Sequence, residues 1–74
     1  MDKTLINKAE AQLTLRKHKE TIETVDKILR HDSKNPDAWS LKGEALRKLH
    51  EVHKAKICFK KAKEYEKKPR SLLE

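Results

Sequence analysis

An all-α fold of two antiparallel helical hairpins is predicted by three features of the 74-residue sequence. Glycine and proline together number three, so almost nothing interrupts helix formation in a chain rich in Lys, Glu, Leu and Ala. Only 35% of the residues are hydrophobic and 42% are charged, a balance that leans toward disorder, yet the apolar residues return at spacings of three and four. Polar segments then cut this periodic pattern into four runs, each long enough for one helix.

In the first run Leu5, Ala9 and Leu13 form a stripe with Ile6 beside it, which sets a helix over residues 3–16. Six polar residues follow, Arg16 to Thr21, and a continuous amphipathic helix would present only these where its apolar stripe should pass. A turn falls there, although no glycine or proline marks it. Ile22, Val25, Ile28 and Leu29 set the second helix over 19–31, and the polar stretch His31 to Asn35 reads as a loop. Asn35-Pro36-Asp37 is a helix start: Asn caps the N-terminus, Pro suits the first helical position and Asp suits the positive end of the dipole. The third helix, 36–49, carries Trp39, Leu41, Leu46 and Leu49 with the small Gly43 and Ala45; the fourth, 52–67, carries Val52, Ala55, Phe59 and Ala62. The whole chain, 1–74, reads as one domain.

Sliding the sequence along itself by 34 residues pairs Leu5 with Trp39, Ala9 with Gly43, Ala11 with Ala45, Leu15 with Leu49, Thr21 with Ala55, Val25 with Phe59 and Ile28 with Ala62. Size class matches at nearly every position. The second unit reads Trp39-x-Leu41-x-Gly43-x-x-Leu46 and then Ala55-x-x-x-Phe59-x-x-Ala62. That pattern and its 34-residue period resemble the tetratricopeptide repeat. Gly43, Ala55 and Ala62 would let two antiparallel helices approach, with Trp39 and Phe59 filling the space beside them. The sequence departs from the family where Lys42 stands in place of a leucine before the glycine, and where proline comes late, as Pro69. On this reading the first unit covers 2–35 in degenerate form, the second covers 36–69, and 70–74 is a tail. Ile22 and Leu29 lie where a following unit would cover them, whereas their counterparts Lys56 and Lys63 are polar, as a terminal repeat requires. Against that, Leu72 and Leu73 would suit the start of a further helix that packs back.

The resemblance implies a protein-interaction scaffold in which a peptide or helix binds the concave face formed by the first helix of each hairpin. Carried onto this chain, that face holds Lys3, Ile6, Asn7, Glu10 and Thr14 with Ser40, Leu41, Glu44, Arg47 and Lys48. The paired Asn and Lys/Arg with which some family members grip a terminal carboxylate are not reproduced here. Two repeats are fewer than the three usually needed, so self-association or a partner would supply the missing burial.

Charge bears on the partner without distinguishing a nucleic acid from an acidic peptide. Residues 1–37 hold eight Lys/Arg against seven acids and residues 38–74 hold eleven against five, so the basic half favours an acidic partner. Lys56, Lys60, Lys63 and Lys67 form one stripe along the last helix, the basis of an alternative reading as a nucleic-acid-binding module. No aromatic residues interleave with the lysines, which weighs against that reading. A third reading is a structural or designed minimal repeat with no ligand. Enzymatic chemistry is not expected: no phosphate loop, nucleophilic set or carboxylate pair is legible, and no cofactor is implied. His50-x-x-His53 and Cys58 carry metal-ligand chemistry, but His53 and Cys58 are about 500° apart around a helix, off any shared face. His18 and His31 fall at helix ends. With no apolar run near the roughly 18 residues of a membrane span, no leader-like start and a single cysteine, a soluble, cytoplasmic protein is expected.

Overall fold

The computed structural model describes residues 3–66, which form four helices: α1 Thr4–Thr14, α2 His18–His31, α3 Pro36–Lys48 and α4 Val52–Tyr65. No strand occurs among the described residues, so the all-α class stands. Helix α2 packs on α1 and on α3, α3 packs on α4, and α1 also touches α3. The first helices of the two hairpins therefore lie side by side.

Both hairpins turn in the same way. Leu15 and Leu49 cap α1 and α3, and the residues after them, Arg16 and His50, adopt left-handed backbone with φ of 65° and 68°. The amide of Arg16 donates to the Leu13 carbonyl and that of Lys17 to the Gln12 carbonyl; His50 donates to Arg47 and Glu51 to Leu46. These paired bonds are a Schellman motif, which satisfies carbonyls the helix end would leave open. They stop α1 at Thr14, two residues before the expected limit, and let α2 begin at His18. Each hydrogen bond of the first turn has its counterpart 34 positions later in the second. The α2–α3 loop follows its sequence: Asn35 Oδ1 accepts from the Ala38 amide at 3.1 Å, with Pro36 in the first turn.

The core has two centres. Ala9, Val25, Ile28 and Ala38 are buried together, with Leu5, Ile6, Leu29 and Leu41 packed around them. Leu46, Ala55 and Cys58 form the other, flanked by Ile22, Trp39 and Phe59. Ile22 is thus partly covered by the second hairpin and Leu29 packs beside the first core centre, while Lys56 and Lys63 stand exposed. Gly43 is buried against Phe59, as the small-beside-large pattern predicts. A polar link spans the first hairpin, where the buried Thr24 hydroxyl donates to Gln12 Oε1 at 2.7 Å.

Three apolar expectations are corrected. Val52 is 52% exposed and Leu15 65% exposed, because each adjoins a hairpin turn where no helix covers it. Ala11 is exposed although its counterpart Ala45 is fully buried. On α3, Ala38, Leu41 and Ala45 share one face, and Ala38 and Leu41 pack against the core of the first hairpin. The equivalent α1 positions, Thr4, Asn7 and Ala11, are exposed, because among the described residues no helix precedes α1. Pro69, the tail 70–74 and the pair Leu72 and Leu73 lie outside the described residues. No helix among those described is long and apolar enough to cross a membrane.

Candidate functional site

The adjacency of α1 and α3 decides which predicted residues share a surface. Glu10 and Thr14 on α1 correspond to Glu44 and Lys48 on α3, and Ser40 and Arg47 continue the α3 row. Glu10, Thr14, Arg47 and Lys48 are exposed, while Ser40 and Glu44 are half-buried. Asn7 is exposed but is the counterpart of Leu41, so it lies on the outer side of α1. Leu41 itself is half-buried against the first core cluster, as is Ile6, which removes both from a solvated groove. Lys3 precedes α1 and is exposed.

Charge changes along this face. Glu10 and Glu44 lie in the middle of their helices, whereas Arg47 and Lys48 close α3 beside the turn of the first hairpin. There a cleft of about 450 Å³ is lined by Leu13, Thr14, Arg16, His18 and Lys48. Thr14 and Lys48, two of the residues drawn from the sequence, thus meet at one opening. The Thr14 hydroxyl is turned back on its own helix, donating to the Glu10 carbonyl at 3.0 Å. A shallower recess adjoins the cleft, sharing Arg16 and His18 with it and adding Lys17, Lys19, Glu20 and Leu49. Arg16 and His18 were hidden in sequence, since the polar run that holds them gives no sign of which residue takes the left-handed position.

The other candidates separate. Lys56, Lys60 and Lys63 are exposed on one side of α4, and Lys67 lies outside the described residues. The ion pairs among the described residues are Lys42 with Asp26 at 2.9 Å and Lys54 with Glu51 at 3.1 Å. None involves the stripe. Lys42, where the sequence breaks the family pattern, is tied to α2 by its pair and stands 5.8 Å from the Trp39 ring centre. His50 and His53 are exposed and Cys58 is buried. Among the described residues no three His, Cys, Asp or Glu side chains group where they would hold a metal ion. Burial pushes the Cys58 thiol above its ordinary range; Lys42 opposes the shift, Asp26 adds to it and Lys61 opposes it.

A third opening, of about 390 Å³, runs between α2 and α4 and is lined by Ile22, Lys42, Leu46, Lys54, Ile57 and Cys58 with Glu51. Ile57 is 56% exposed at its edge. Both lysines of this opening are occupied by the ion pairs above, which leaves it electrostatically quiet.

Comparison with protein-family models gives no match. Searches of the curated proteins and of the solved structures likewise give no match.

Proposed function

We propose that the chain is a tetratricopeptide-like interaction scaffold that receives a peptide or helix with an acidic component along the α1/α3 face. The observation that carries this reading is the alignment of Glu10, Thr14, Ser40, Glu44, Arg47 and Lys48 on adjacent helices, polar side chains at the surface of one continuous face. A core assembled from both hairpins holds that face in shape, so a ligand would meet it already organised. The polarity from glutamates to Arg47 and Lys48 would orient an acidic ligand along it. The test is binding of a library of acidic peptides to the parent chain and to Glu44→Lys, Arg47→Glu and Lys48→Glu. Altered binding with unchanged melting supports the face; binding lost only in variants that also unfold counts against it.

A second reading rests on Lys56, Lys60 and Lys63, exposed together and free of ion pairs among the described residues. Such a stripe would follow phosphates along a nucleic acid through salt-sensitive contacts. Titration with random DNA and RNA at rising salt separates the readings, because absence of affinity at low salt removes this one.

A further inference from the structure

The end of the α1/α3 face offers more than a rim. Its cleft has a volume within the roughly 300–1,000 Å³ of small-ligand sites, and cations gather around it. Arg16 and Lys48 line it directly, and Lys17 and Lys19 line the adjoining recess against one carboxylate, Glu20. None of these four cations takes part in an ion pair among the described residues. A cleft lined by one sign of charge between low-dielectric walls focuses its field on a counter-ion. The positive end of α2 adds to that field, since Lys17 supplies no side-chain cap.

The wall of the cleft contains an unsatisfied group. His18 Nδ1 is sealed from solvent and has no hydrogen-bonding partner among the described residues, which leaves a buried polar atom unsatisfied. The same ring lines both the cleft and the recess. An imidazole turned with an N–H toward the cleft would donate to an oxyanion lodged between Arg16 and Lys48.

We propose that Arg16, His18 and Lys48 form a binding site for a compact oxyanion, the phosphoryl or carboxylate group of a peptide side chain. The site rests on the scaffold reading for the peptide that carries the anion; the anion pocket itself does not. Arg16 supplies planar donors and Lys48 a point charge, a combination suited to a tetrahedral or planar oxyanion. Leu13 supplies an apolar wall. The anion would then fix one end of a peptide lying along the glutamate-lined remainder of the face.

The first test is a titration of the full 74-residue chain with inorganic phosphate at constant ionic strength, chloride being the balancing anion, followed by amide and imidazole NMR shifts. Saturable shifts confined to residues 13–20 and 47–49, with movement of the His18 ring signals, are expected. Arg16→Gln and Lys48→Gln should each weaken binding about tenfold, equivalent to about 1.4 kcal/mol, with unchanged helical signal, and Lys48→Arg should retain it. The triple variant Lys56→Gln/Lys60→Gln/Lys63→Gln should bind phosphate as the parent does. Shifts that follow α4, or no saturable shift at the cleft, overturn the proposal.

The second arm uses two acidic peptides that differ only in phosphoserine against glutamate at one position. Tighter binding of the phosphopeptide assigns the phosphoryl group, and equal binding assigns the carboxylate, provided either peptide competes with phosphate for the cleft; peptides that bind without displacing phosphate overturn the link to the face. Phosphate binding that persists while Glu44→Lys and Arg47→Glu leave peptide binding untouched sinks the scaffold reading alone. Peptide binding sensitive to those variants, with no phosphate bound, sinks the oxyanion site alone.

Discussion

A β-carbon placed on Gly43 would stand 2.9 Å from Cε1 of Phe59 and 3.0 Å from Cδ1 and Cζ, so the ring edge of α4 lies directly against the backbone of α3. That approach is closer than any side chain allows without movement. Gly43→Ala gains about 1 kcal/mol in helix propensity but must displace a ring held at the second core cluster, at a cost of about 1–3 kcal/mol. A net loss of about 1 kcal/mol is expected. Phe59→Leu shortens the opposing side chain, so Gly43→Ala should cost less in that background. Chemical denaturation of the four proteins in this cycle checks the coupling; additive effects would show that the two residues are not in contact.

The hairpin turns make a prediction with the opposite sign. Arg16 and His50 hold left-handed backbone without being glycine, at roughly 1–2 kcal/mol each for an L-residue. His50→Gly removes that strain and loses part of the gain to the greater freedom of the unfolded chain. Stabilisation by about 0.5–1 kcal/mol is expected, which raises the melting temperature by roughly 4 °C in a chain of this size. Arg16→Gly should stabilise equally while removing a cation from the cleft. A thermal melt of each variant decides, and a lower midpoint for His50→Gly would contradict the turn geometry.

These turns also mark the limit of what could be read from the residues alone. Four helices were legible because stripes such as Ile22, Val25 and Ile28 repeat at the helical period and because Asn35-Pro36 announces a start. The turn at Arg16 is marked in the sequence only by the polar run Arg16 to Thr21, since its left-handed position is held by an arginine among other polar residues and lacks the usual glycine. Burial was legible at Ala45 but not at Ala38, which is fully buried although the α3 stripe is read only from Trp39 onward. It failed at Ala11 and Leu15, whose helical spacing is that of core residues but whose outward face meets no neighbour among the described residues. The proposed face was legible in its helices and not in its end: the family resemblance implies that Thr14 and Lys48 share one surface, while the contribution of Arg16 and His18 depends on chain reversal.

Trp39 tests the join between the hairpins. Its ring is half-buried at the second core cluster, its indole N–H donates to the Ser33 carbonyl at 2.8 Å, and Tyr65 lies 6.4 Å away between ring centres. Lys42 and Lys61 approach the ring within 5.8 and 5.4 Å of its centre. Because the ring is not fully enclosed, Trp39→Ala should cost about 2–4 kcal/mol, below the roughly 3–5 kcal/mol that full burial of such a ring predicts. Trp39→Phe keeps most of the packing and gives up the indole hydrogen bond, for a further test at about 1 kcal/mol. Equal stability of parent and Trp39→Ala in thermal melts would remove this residue from the core.

Cys58 gives the structure a pH dependence whose sign is fixed by its burial. The thiol is 4% exposed within the second core cluster, and desolvation raises its pKa above the ordinary 9.0, with Lys42 and Lys61 opposing and Asp26 adding to the shift. The folded chain therefore holds the thiol proton more firmly than the unfolded chain does. Below about pH 9 both states keep that proton and the stabilisation is fully present; as pH rises beyond 9 the unfolded state loses it first, and stability declines until the folded thiol ionises as well. Chemical denaturation between pH 7 and pH 10 should show this decline, and Cys58→Ala should lack that component while retaining whatever the lysines contribute at the same pH. The neutral, enclosed thiol should also react slowly with a thiol-specific alkylating agent in the native state and readily in denaturant. Rapid native-state alkylation, or identical pH profiles for parent and Cys58→Ala, would place Cys58 at the surface and break the second core cluster at its centre.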